Sequence, residues 1–250
     1  MKRKELKVGT YNILHGANYP KKRETGVEEI DLSLAANAIR SLDLDFCGLN
    51  EVRNQENVEG LCNQARVIAE QLGYHYVFAR AIDYMGGEYG NAFVSRYPIL
   101  SCQLVPLVFP KEERIKGKYY EDRVLLVAEI KIENTVVKVI ATHFGLSEGE
   151  QQLAIDTIQP LVKDCRTPLF VMGDFNLMPD TTLCESLCGL LTDTAIKGEG
   201  SLLSFSSFDP HMKIDYIFTN DLVETSRAFV PEINTSDHRP YVAYCAIDIE

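Results

Sequence analysis

The chain has 250 residues, 46% of them hydrophobic and 24% charged, an ordinary balance with enough apolar material for one large domain or two small ones. The formal net charge of −11 argues against a broad basic face that grips nucleic acid non-specifically, though a locally basic cleft stays compatible with it. No run of about 18 apolar residues exists to span a membrane, and the basic start Met1–Glu5 leads into no apolar segment of signal-peptide type.

In chain order, 6–13 (LKVGTYNI) alternates and is rich in β-formers, which predicts a strand ending at Asn12. Residues 17–29 are polar, with Pro20 and Gly26, and read as a loop. The helical spacing of 32–42 takes Asp31 or Ser33 as its cap. A strand over 44–49 (LDFCGL) ends in Asn50-Glu51, a helix covers 61–72 with Gly73 as its stop, and a strand covers 74–79. Residues 85–90 (MGGEYG) read as a glycine-rich loop feeding Asn91 and the strand run Ala92-Phe93-Val94. After a strand over 103–109, the charged segment 110–122 with two tyrosines reads as an exposed loop. Residues 123–130 and 135–141 form a predicted hairpin across Glu133-Asn134, whose second strand leads into Thr142-His143.

Ser147-Glu148-Gly149-Glu150 has the S-x-x-E pattern of a capping box and opens a helix to about Val162. The run 169–172 (LFVM) reads as a strand buried on both faces, followed by Gly173-Asp174-Phe175-Asn176. A short helix over 181–188 and an irregular Ser/Gly/Thr-rich stretch, 192–211, come next. The strand 212–218 (MKIDYIF) carries Asp215 inside its apolar run, with 222–230 as its expected hairpin partner. The loop Ser236-Asp237-His238-Arg239-Pro240 precedes the last strand, 241–249. No repeat or linker divides the chain, so 1–250 reads as a single domain. Strands outnumber helices throughout, which suggests two packed sheets with helices outside them. The seven cysteines contain no CxxC pair and no zinc set, and read as reduced thiols of a cytoplasmic protein, unless a leader once preceded Met1.

Polar residues cluster at the strand ends: Asn12, Glu51, Asn91, His143, Asp174, Asn176, Asp215, Asp237 and His238. Each has a local explanation as a turn residue, a cap or a satisfied core group. Asp174 either caps the next helix or works at a strand mouth, where layered α/β folds bind ligands. Asp215 on an inner strand needs a buried partner. Taken together, Glu51, Asp174, Asp237, Asn12 and Asn176 offer only oxygen donors, a set suited to Mg²⁺ or Mn²⁺ rather than zinc. Such an ion binds phosphate oxygens and offsets the charge of phosphoryl transfer, with His143 and His238 as acid/base and cationic groups.

The stretches TYNILHG, LNEV, GNAFVSRYP, THFGLSEGE, GDFN, KIDYIF and SDHRP resemble, in this order, the endonuclease/exonuclease/phosphatase superfamily of deoxyribonuclease-like, metal-dependent phosphohydrolases. The resemblance covers roughly residues 5–249. It implies an α/β (α+β) four-layer sandwich of two mainly antiparallel sheets flanked by helices, with the site at one sheet edge. It implies Glu51 as the principal Mg²⁺ ligand with Asn12 beside it, and Asp237 in the same cluster. It further implies Asp174 orienting or deprotonating the attacking water and Asn176 holding the nucleophile and a phosphate oxygen. His238 would bind phosphate with Asp215 against its ring, and His143 would be the second histidine, contacting the phosphate or helping to protonate the leaving oxygen. Asn91 and Arg123 would make further phosphate contacts; by its position in the chain alone, and not by the resemblance, Glu88 is a candidate to orient His143.

A reaction does not name a substrate. The acidic charge, the absence of tryptophan and the mixed character of the basic segments disfavour a nucleic-acid partner. A soluble phosphoester cleaved by in-line attack of water, by a phosphodiesterase or a phosphatase, is the leading reading; a nuclease acting on DNA or RNA is the alternative. A catalytically silent module that binds phosphorylated ligands is a third, against which the intact Glu51, Asp174, Asp237 and His238 argue, since a binder needs no water-orienting carboxylate.

Overall fold

The computed structural model describes residues 2–250; Met1, first residue of the basic start, lies outside them. The elements run β1 (Lys2–Asn12), α1 (Tyr19–Thr25), α2 (Leu32–Ser41), β2 (Phe46–Asn54), α3 (Gln64–Leu72), β3 (His75–Tyr84), β4 (Gly87–Ser95), β5 (Ile99–Leu107), β6 (Arg123–Ile132), β7 (Thr135–His143), α4 (Glu148–Lys163), β8 (Leu169–Asp174), α5 (Thr182–Cys188), β9 (Thr192–Asp193), β10 (Asp215–Thr219), β11 (Val223–Phe229) and β12 (Tyr241–Ile249). One sheet has the order β11-β12-β1-β2-β4-β3 and the other β5-β6-β7-β8-β10-β9. Only β1 with β2 and β7 with β8 run parallel; every other named pair is antiparallel.

The alternation along β8 shows why the layers form. Phe170 and Met172 enter the core between the sheets, with Phe46, Phe93, Leu126 and Val139. Leu169 and Val171 face the other way, onto Ala154, Ile155 and Ile158 of α4 and Leu187 of α5. A strand with both faces covered reads as an unbroken apolar run, as LFVM does. The first sheet repeats the pattern: Phe46 points inward, while Cys47 and Leu49 pack beneath α2 and α3 with Ala36, Ile39, Ala65 and Ile68. The result is helix, sheet, sheet, helix, the expected sandwich. Each large apolar side chain buried here is worth roughly 1.5–3 kcal/mol. Gly48 lets the sheets approach, since a Cβ there would sit 3.0 Å from Met172 Cγ.

Local signals held where the chemistry is local. Ser147 accepts from Glu150 N–H, and Glu150 Oε2 accepts from Ser147 N–H at 3.1 Å, so the capping box forms. Asp31, not Ser33, caps α2, and Gly73 ends α3 in the left-handed conformation. Three expectations need correction. Residues 17–29 contain α1: Asn18 caps it, Pro20 sits in its first turn and Gly26 ends it, so the two apparent breakers are start and stop signals. The loop over 85–90 shrinks to a tight turn at Met85-Gly86, both at positive φ, and Gly87–Gly90 belong to β4. The 222–230 strand does not pair with β10. Asn220 bonds Leu169 N–H and Thr167 C=O, and the chain then crosses so that β11 pairs with β12 in the other sheet. All seven cysteines are free thiols. No helix among the described residues is long and apolar enough to cross a membrane.

Candidate active site

The register of the central strands gathers the polar residues at one edge. Asn12 lies opposite Asn50 where β1 and β2 run parallel, and His143 opposite Asp174 where β7 and β8 do. Asp215 opens β10 opposite Asp174. Backbone strain aims two of the remaining groups. Glu51 adopts φ 59° inside the bulge between Leu49 and Val52, and Asn176 adopts φ 49°, a conformation asparagine tolerates better than most residues. Gly173 is required: at φ 152° its carbon approaches β7 so closely that a Cβ would lie 1.8 Å from Thr142 O. Glu51, Asp174, Asn176, Asp237, His238, His143 and Arg123 line one cleft of about 460 Å³, together with Tyr89, Tyr119, Glu121, Leu146 and Phe205.

Asp174 is the hub. Its Oδ1 accepts from Asn176 N–H at 3.0 Å. Its Oδ2 faces three donors: Asn12 Nδ2 at 3.3 Å, and the Nε2 atoms of His143 and His238, each at 3.5 Å. Its own N–H donates to Asn50 Oδ1 at 2.9 Å. Behind His238, Asp215 Oδ2 accepts from ring Nδ1 at 2.8 Å and from Ser204 Oγ at 2.6 Å. Asp215 is fully buried and its Oδ1 has no protein partner. Burial opposes a charge on His238, but the Asp215 and Asp174 carboxylates outweigh it and push the imidazole up to about 10. Asp174 is raised above the usual carboxylate range, first by burial and then by Asp215. Asp215, His238 and Asp174 place ligand-type atoms within 4.8 Å of one another, but the cationic His238 ring bonded to Asp215 has no lone pair for a metal ion.

The sequence model of the Endonuclease/Exonuclease/phosphatase family matches residues 9–238. The chain belongs to this family. Among individual proteins it is 25% identical over 150 residues to the uncharacterized protein YbhP of Escherichia coli K12, an alignment covering 56% of each chain. The chain thus matches little more than half the length of this curated relative. In three dimensions it is similar to an endonuclease/exonuclease/phosphatase from Bacteroides vulgatus, with TM-score 0.78 and 19% identity over 98% of this chain and all of that one. It is also similar to the Bacteroides thetaiotaomicron mannosyl-6-phosphatase, with TM-score 0.72 and 19% identity over 96% and 99%. At these identities the likeness establishes the fold.

Within this family fold the donor set suits a divalent cation. Glu51 and Asp237 face the same cleft, and among the described residues neither lies within 4.0 Å of a lysine or arginine charge. Glu51 Oε1 accepts from Asn12 Nδ2, at 3.0 Å, with the Tyr89 hydroxyl beside the same carboxylate, and Asp237 Oδ1 accepts from Ser236 Oγ, at 3.1 Å. Burial raises the Asp237 carboxyl, and Glu51 adds to this against the effect of His238. Two carboxylates in one hollow with no lysine or arginine partner are what a bound cation would relieve.

Not every expected residue reaches the cleft. Asn91 is buried, donating to Val124 C=O of the other sheet at 3.0 Å and accepting from Asn50 of its own sheet at 2.9 Å; both ends of the amide are used, so it is no phosphate contact here. Glu88 accepts from Asn54 Nδ2 at 2.7 Å and lies outside the cleft, so it does not orient His143. Asn12 lies beside Glu51: its Oδ1 accepts from Leu14 N–H at 3.1 Å, and its Nδ2 donates to the Glu51 and Asp174 carboxylates at 3.0 and 3.3 Å. Three contributors escape a reading of the sequence. Asn50 donates to Thr142 C=O at 2.7 Å and stitches the sheets behind Asp174; its position in a strand end dominated by Glu51 was its one signal. Glu121 and Tyr119 come from the charged 110–122 segment, whose tip is exposed but whose C-terminal end folds back over the cleft. Glu121 is anchored there by an ion pair of 2.5 Å with Arg123.

Proposed function

We propose that this protein hydrolyses the phosphate ester of a small soluble substrate, with Mg²⁺ or Mn²⁺ held by Glu51 and Asp237, by in-line attack of water. The observation that carries this reading is the pairing, in one cleft, of two carboxylates lacking a cationic partner with an Asp174 carboxylate ringed by donors. A hard divalent cation when bound supplies charge to neutralise phosphate oxygens and polarise the phosphorus. The protein's own groups divide the remaining work. Asp174 orients the attacking water and accepts its proton; Asn176, whose Nδ2 donates to Phe144 C=O at 3.0 Å, is fixed at the cleft wall toward a phosphate oxygen. His238, kept cationic by Asp215, faces the charge that grows on the phosphoryl group, and as the ester P–O bond breaks its Nε2 proton passes to the leaving oxygen. His143 and Arg123 face the same group from β7 and β6.

A cleft of about 460 Å³ with Glu121 and Glu51 in its wall favours a compact substrate over a duplex. The mannosyl-6-phosphatase among the similar structures is in line with a small phosphomonoester. The test is hydrolysis of a generic monoester and a generic diester with Mg²⁺, Mn²⁺ or chelator, beside single- and double-stranded DNA and RNA. Metal-dependent cleavage of the small ester, lost in Asp174→Asn, supports the proposal. Faster turnover of nucleic acid would replace it with a nuclease. Binding of a phosphorylated ligand with no turnover of any ester would replace it with a binding module.

A further inference from the structure

Arg123 stands at the N-terminal end of β6 with its side chain only 10% exposed, between two groups of the cleft. Its Nη1 forms the 2.5 Å ion pair with Glu121 Oε1 and lies 3.3 Å from His143 Nδ1, within hydrogen-bonding geometry. A guanidinium has donors and no acceptor, and stays charged at all ordinary pH. His143 Nδ1 must therefore offer its lone pair to Arg123. On the opposite side of the ring, Nε2 faces Asp174 Oδ2 at 3.5 Å, and a carboxylate oxygen asks for a donor. Both neighbours select the same form of the ring. We propose that Arg123, itself held by Glu121, is a positioning residue that fixes His143 as the neutral Nε2–H tautomer, so that His143 serves the reaction as a hydrogen-bond donor and not as a proton shuttle.

The surroundings agree. Burial, then Arg123 and His238, hold His143 well below the ordinary histidine range. The familiar means of orienting a histidine is a carboxylate or carbonyl on Nδ1, which favours the imidazolium. Here the sign is inverted: a cation on Nδ1 disfavours protonation, and the Asp174 carboxylate faces Nε2 at 3.5 Å. With Nδ1 sealed and Nε2 already protonated, His143 has no free lone pair for the water's proton, and Asp174 is left as the acceptor. The inference rests on the phosphohydrolase reading only for its consequence in rate; the tautomer is a property of the resting protein.

The experiment is two-bond ¹⁵N–¹H correlation spectroscopy of histidine-labelled, metal-free protein at neutral pH, with His143→Gln to assign the signal. The expected wild-type spectrum is that of a neutral ring protonated on Nε2. In Glu121→Gln/Arg123→Met, which removes the donor without stranding a carboxylate, the Nδ1 signal should move toward averaged tautomers. Arg123→Lys should restore it. With Mg²⁺ and a phosphoester, kcat of the double variant should fall roughly 10²-fold, the loss of one donor aimed at developing charge, with KM changed much less. An imidazolium or an Nδ1–H in the wild type, or an unchanged spectrum in the folded double variant, overturns the proposal. A protein that shows the expected tautomer but hydrolyses no ester overturns the functional reading and leaves this one standing.

Discussion

Asn50 tests whether the site depends on the contact between the sheets. Its amide makes three hydrogen bonds in a fully buried position: Nδ2 to Thr142 C=O at 2.7 Å and to Asn91 Oδ1 at 2.9 Å, and Oδ1 from Asp174 N–H at 2.9 Å. Asn50→Ala leaves three polar groups without that partner and opens a void too small to hydrate all of them. Each orphaned group costs about 1–3 kcal/mol, and partial relaxation brings the total to roughly 3–5 kcal/mol. A domain has about 5–15 kcal/mol to lose, so the variant should fold while being clearly weakened. Urea unfolding followed by far-ultraviolet circular dichroism measures this; the chain has no tryptophan to report by fluorescence. The midpoint should drop with the slope unchanged. Because the anchor of the Asp174 backbone is lost as well, kcat should fall at least tenfold. Asn50→Asp keeps the acceptor for Asp174 N–H but turns a carboxylate oxygen toward two other acceptors, and should be at least as unstable. A loss below about 1 kcal/mol in Asn50→Ala would refute the claim that these bonds hold the site together.

Four further outcomes follow from the same geometry. Asp174→Asn and Glu51→Gln should each lower metal-dependent turnover roughly 10²–10³-fold with unfolding midpoints near wild type. In metal-free protein the raised His238 contributes stability that is fully present below the unfolded histidine value near 6.5 and is lost as pH rises toward about 10; Asp215→Asn should flatten that slope in urea titrations between pH 7 and 10. Gly173→Ala places a Cβ 1.8 Å from Thr142 O and should cost about 3 kcal/mol or more, read as a large fall in melting temperature together with loss of activity. Ser147→Ala removes the capping box of α4 and should cost about 1 kcal/mol, read as a small drop in the urea midpoint with the slope unchanged.

What could be read from the chain follows the range of each interaction. The apolar run of β8, the capping box of α4 and the stop at Gly73 are decided by residues within one or two turns, and the sequence displays them. Pro20 and Gly26 mislead for a related reason: the same residues that break a helix also begin and end one, and only the Asn18 cap ahead of them distinguishes the cases. Pairing is another matter. Nothing near Leu222 says that β11 joins β12 instead of β10; that depends on which sheet has an open edge. The site divides in the same way. Glu51, Asp174, Asp215 and His238 are conspicuous because charged groups beside apolar strands require partners. The residues that set their geometry are inconspicuous: Asn50 looks like one more strand-end amide, and Asn91, equally plausible as a ligand, is consumed in holding Asn50. Arg123 and Glu121 sit at the end of a segment whose other charges are solvated, so composition hid them. Reactive groups can thus be recognised by their chemical cost to the fold, whereas positioning groups are recognised only by what they touch. That is why the tautomer of His143, set by a residue 20 positions away, emerges from the contacts and from nothing in the sequence alone.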